Sequence, residues 1–152
     1  MLSGVTLLFY SQAYKTMIKE KLLGSNLPAE IIEECSLVFD LLDVSKDKPQ
    51  LYKVALLVAT MALEKTLRIV LYNEYKTITK IKFSVLIDKA YQNKIIDSEM
   101  AIQFRALKEF RNASVHHGLM NITEEGTLMP VNKIVQQIHY LLDNFTSSEK
   151  NN

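Results

Sequence analysis

Residues 54–67 read VALLVATMALEKTL, a run whose apolar side chains cover most of a helical circumference. A helix of that kind is packed on more than one side, so it is expected to be the central element of the fold. Pro49 suits its opening turn, and the pattern carries it to about Tyr75 as the longest helix of the chain. Glu64 interrupts the apolar run and is expected at the wet edge of the helix, paired with Lys65 or Arg68.

Helical periodicity continues on both sides, with Pro and Gly as punctuation. Val5, Leu8, Phe9 and Gln12 begin a pattern that reaches Leu23, and Gly24 closes it. A second helix starts around Pro28, runs to about Asp43 and buries Ile31, Cys35, Val38, Phe39 and Leu42. After the central helix comes a short link, KTITK, then a helix from about Lys82 to Asn93 burying Phe83, Leu86, Ile87 and Ala90. Asp97 or Ser98 caps the next helix, which ends at His117. Pro130 starts the last one, with Ile134, Ile138, Leu141, Leu142 and Phe145 inward. The stretch LMNITEEGTLMP has no helical period and reads at most as a minor β-hairpin near residues 120–129. The expected architecture is all-α, an antiparallel helical bundle of about six helices forming one domain over residues 1–146, with a disordered tail at 147–152.

A chain of 152 residues is long enough for a substantial core, and 48% apolar with 23% charged residues is ordinary for a soluble globular protein. A net charge of +1 makes no global case for nucleic acid or membrane, so any basic surface is local. Acids predominate from Glu20 to Asp47, and bases from Lys65 to Arg111. Cys35 is the only cysteine, which excludes an internal disulfide and fits a reducing, cytoplasmic setting. The N-terminal run MLSGVTLLFYSQAYK lacks the features of a signal peptide and is too short to span a bilayer.

Chemistry concentrates at residues 110–117, FRNASVHH, which hold two of the three histidines. On a wheel, Met100, Phe104, Leu107, Arg111 and Val115 form one stripe and Ile102, Ala106, Phe110 and Ala113 a second apolar stripe. Arg105, Glu109, Asn112 and His116 form a polar face between them. Arg111 thus continues a core stripe, where an arginine must reach out past its neighbours or be held by a partner. Asn112 and His116 are one turn apart and address one side, whereas Arg111 points about 140° away from His116. Two copies of the helix facing each other across a two-fold axis would gather these groups in one cleft.

Such a cleft suits RNA cleavage without a metal or other cofactor. A neutral imidazole takes the proton of a ribose 2′-hydroxyl, and an imidazolium protonates the leaving 5′-oxygen. Guanidinium groups stabilise charge on the phosphorane oxygens, and an asparagine amide orients the imidazole or a phosphate oxygen. The same cluster is also what the helix macrodipole favours at a C-terminus, with Gly118 an ordinary residue beyond the last turn. His117 reads as a helix-end residue and His139 as structural. Tyr72, Tyr75 and Tyr91 read as core-edge residues, with base stacking as the alternative.

The stretch RNASVH, preceded by MALEKTLRIVL and KFSVLIDKAYQNKIID, resembles the HEPN superfamily over roughly residues 50–145. The first two helices are then an N-terminal extension. The resemblance implies a homodimer with facing motifs, an RNA substrate, and Arg111, Asn112 and His116 as the catalytic set. It implies toxin or phage-defence biology with an antitoxin protein as a partner, and Glu64 as a possible supporting residue at a polar position that some members use; His117 has no counterpart in the family and is a possible supporting residue only by its place beside His116. Toxins modified by a nucleotidyltransferase partner carry a tyrosine two residues after the histidine, where this chain has Gly118, so that scheme is not implied. Some members are non-catalytic binding modules, the alternative reading.

Overall fold

The computed structural model describes Glu20 and residues 28–73, 81–117 and 129–145, with backbone alone at 115–117. The expected first helix, the KTITK link, most of the candidate hairpin and the C-terminal tail lie outside the described residues. Five helices make up the described part: α1 (Ala29–Ser45), α2 (Leu51–Tyr72), α3 (Phe83–Gln92), α4 (Ser98–His117) and α5 (Val131–Phe145). The fold is all-α, with no strand among the described residues. None of these helices is long and apolar enough to cross a membrane.

As its pattern requires, α2 is central and packs against all four other helices. Ala55, Ala59 and Ala62 let neighbours approach closely, while Leu56, Leu63 and Leu67 fill the core between them. Thr60 and Thr66 are buried too, and each hydroxyl donates to the carbonyl one turn back, at Leu56 (2.7 Å) and Ala62 (2.8 Å). The helix ends at Tyr72 rather than Tyr75, because Asn73 adopts the left-handed conformation at φ 58° and donates its N–H to Ile69 O.

Each flanking helix buries the face its periodicity indicates. Ile31, Cys35, Val38 and Phe39 of α1, and Phe83, Leu86, Ile87 and Ala90 of α3, are buried, as are Ile134, Ile138, Leu141 and Leu142 of α5. Leu42 and Phe145 are only partly buried against this core. Lys65 of α2 ties α1 down: its ammonium donates to Glu30 (2.6 Å) and to Glu34. Burial pushes the Lys65 pKa down, but these hydrogen bonds and the two negative charges outweigh burial and raise it. Asp97, not Ser98, caps α4, accepting the Met100 N–H at 2.8 Å.

One expectation for α4 needs correction. Its inner arc runs through Ala101, Phe104, Leu107, Phe110 and Ser114, all buried. Ile102, expected on a second apolar stripe, is 65% exposed. It lies about 160° from Phe104 around the helix, on the side of α4 away from the buried arc.

Candidate functional site

Arg111 lies in the middle of the inner arc of α4, about 20° from Phe104 on the wheel. Glu64 of α2 is the partner that holds it there. One carboxylate oxygen, Oε2, accepts a hydrogen bond from Arg111 Nη1, and the other, Oε1, accepts Arg68 Nη2 at 2.8 Å. Glu64 is therefore not at a wet edge: its side chain is 13% exposed, against 21% for Arg111. Lys65, the other candidate partner, is engaged with α1 instead.

The surroundings accommodate the two guanidiniums inside the bundle. The Arg111 guanidinium lies 5.1 Å from the ring centroid of Phe83, the first residue of α3, where the aromatic face attracts a cation. Arg68 Nη2 also donates to Ile81 O at 3.1 Å, just ahead of α3. Two guanidiniums share one carboxylate, so one net positive charge remains. Arg68 Nε is buried without a hydrogen-bond partner among the described residues. Tyr72, one turn further along α2, likewise has a buried, unpartnered hydroxyl, and Lys89 Nζ sits 5.2 Å from its ring centroid.

Glu64, Arg68 and Tyr72 recur every four residues on α2, so a polar line runs down a mostly apolar helix and meets Arg111. That spacing was the signal for Arg68 as a member of the site. Nothing in the sequence marked Phe83 or the Ile81 carbonyl, because their role depends on where α3 starts against α4.

No family model, no curated protein and no solved structure matches the chain.

Of the residues singled out in the sequence, Glu64 and Arg111 come together across 47 positions. Asn112 is exposed on the next face of α4. The backbone is helical through His116 and His117, so position 116 is turned about 140° from position 111; the side chains there lie outside the description. Arg111 faces inward to Glu64 while Asn112 faces outward, so one chain does not aim these two groups at one point. Among the described residues no group of three His, Cys, Asp or Glu side chains is arranged to hold a metal ion. His139 sits on α5 with its Nδ1 buried and unpartnered among the described residues.

Proposed function

We propose that the chain is a metal-independent endoribonuclease of HEPN type, active as a homodimer with a composite site, in toxin or phage-defence biology. The observation that carries this reading is Arg111, held on the inner arc of α4 by Glu64, beside an exposed Asn112 and five positions ahead of His116. A residual positive charge at Glu64, Arg68 and Arg111 is what a scissile phosphate requires.

In this reading one imidazole takes the proton from the ribose 2′-hydroxyl. The 2′-oxygen attacks phosphorus, the bond to the 5′-oxygen breaks, and the imidazolium of the second copy protonates that oxygen. A 2′,3′-cyclic phosphate and a 5′-hydroxyl end result. Asn112 orients a phosphate oxygen or the imidazole, and the Arg111 guanidinium meets the negative charge of the phosphorane. An antitoxin protein would act by covering this site or separating the copies.

A second reading, a non-catalytic module that binds RNA or protein, draws support from the same ion pair: Glu64 already satisfies Arg111 within the bundle. Incubating the purified chain with cellular RNA in excess chelator separates the two. Cleavage that disappears in His116→Ala and in Arg111→Met supports the nuclease; no cleavage, or cleavage unchanged in these variants, removes it. Light scattering tests the dimer, and a monomer at micromolar concentration counts against a composite site.

A further inference from the structure

A cleft of about 650 Å³ opens where the turn between α3 and α4 meets α5. Its size falls in the range of small-molecule sites, roughly 300–1,000 Å³. Tyr91 from the last turn of α3 and Tyr140 from α5 line it, together with Lys94, Asp97, Ser98 and Gln137. Phe83, Phe104 and Phe110 are buried, whereas Tyr91 and Tyr140 are 46% and 52% exposed. Two tyrosines from different helices therefore keep much of their surface in solvent at one opening. Lys94 is the one cation of the lining and Asp97 the one acid, and Asp97 is occupied as the cap of α4.

We propose that this cleft seats a nucleotide, with its base against Tyr91 and Tyr140 and a single phosphate on the Lys94 ammonium. Base–aromatic stacking tolerates any base, and the Gln137 amide offers both a donor and an acceptor to a base edge. One cation suits a phosphodiester or a monophosphate rather than a triphosphate. The nucleotide can be free or part of a single strand; the strand case rests on the ribonuclease reading, and the free case does not.

Helix geometry links the cleft to the motif. Ser98 and position 116 are about five full turns apart, so they share one meridian of α4 at a separation of about 27 Å. Arg105 and Asn112 fall within about 40° of that line. Arg105 is solvent-exposed, with Asp88 at 3.0 Å, and Glu109 on the same side has its carboxylate 2.8 Å from Lys108. A strand whose base sits in the cleft can thus run along one face of α4 toward Asn112, several nucleotides away.

Titration with two probes, adenosine 5′-monophosphate and a single-stranded 2′-O-methyl RNA hexamer, tests the proposal on the full chain. Tyrosine fluorescence or NMR shifts report binding to the parent, Tyr91→Ala, Tyr140→Ala and Lys94→Glu. Loss of either ring is expected to weaken binding at least about fivefold, the lower end of a base stack. Lys94→Glu should weaken it further at low salt. Saturable binding of both probes with this sensitivity marks a free-nucleotide seat, and binding of the hexamer alone marks a strand seat. No binding of either probe, or equal binding by parent and cleft variants, overturns the proposal. The hexamer has no free 2′-hydroxyl, so the result stands apart from whether the chain cuts RNA.

Discussion

Glu64 and Arg111, 47 residues apart in sequence, are joined by an ion pair that crosses from the central helix to the helix carrying the RNASVH motif. Arg68 takes the other oxygen of the same carboxylate, so Glu64 serves two cations. Removing the shared acid therefore differs from removing one base.

Glu64→Gln should destabilise the chain by about 3 kcal/mol, since it leaves two partly buried guanidiniums with no counter-charge. Arg111→Met should change stability by no more than about 1 kcal/mol, because Arg68 keeps Glu64 paired and a methionine suits the inner arc. Urea midpoints measure both. The reverse order of the two variants would mean that Arg111, not Glu64, holds the cluster together.

That difference makes Arg111→Met a clean probe of chemistry. Under the ribonuclease reading it should abolish cleavage in a folded protein, and His116→Ala should lower the rate by about 10²–10⁴-fold, the range for a lost acid–base group. Asn112, exposed and outside the ion-pair cluster, should affect rate without affecting stability. Rate constants on a short RNA, with circular dichroism to verify folding, check all three.

Cys35 is buried on the core face of α1, and burial first, then the Glu34 charge, pushes its thiol up to about 12 from an ordinary 9.0. The neutral thiol is thus favoured by folding. Its contribution is complete below pH 9 and is lost as pH rises toward 12, because the unfolded chain then releases the proton more readily. The raised pKa of Lys65 acts in the same direction, with stability present below its unfolded value and lost above it. Urea midpoints should fall across pH 9–12, less steeply in Cys35→Ala. At pH 8 a thiol reagent should label Cys35 in the unfolded chain and leave the native one nearly unmodified; rapid native labelling would contradict this burial.

The cap at Asp97 offers a local test. Asp97→Ala should cost about 1 kcal/mol, while Asp97→Asn, which keeps an acceptor for the Met100 N–H, should cost much less. For a chain of this size 1 kcal/mol is a fall of roughly 2–4 °C in Tm, readable by calorimetry.

Much of this molecule is legible as periodicity. The nearly all-round apolar run at 54–67 placed α2 at the centre, and the buried residues of α3 fall where a 3.6-residue repeat puts them. Burial on a helix follows from side-chain direction, which local sequence dictates. Ile102 shows the limit: an apolar residue on the far side of α4 looks like core until the packed arc is seen to run through Phe104 and Leu107 instead.

The site divides in the same way. Its residue types, and the need of Arg111 for a partner, could be read along the chain. Which base Glu64 takes could not, since Lys65 and Arg68 both stand near it in sequence. The tertiary structure decided it by bringing Glu30 and Glu34 of α1 to Lys65, and the RNASVH helix to Glu64. Ion pairing in a bundle depends on which helices touch and at what height. That is set by the packing of α2 against all its neighbours at once, and no local pattern carries it.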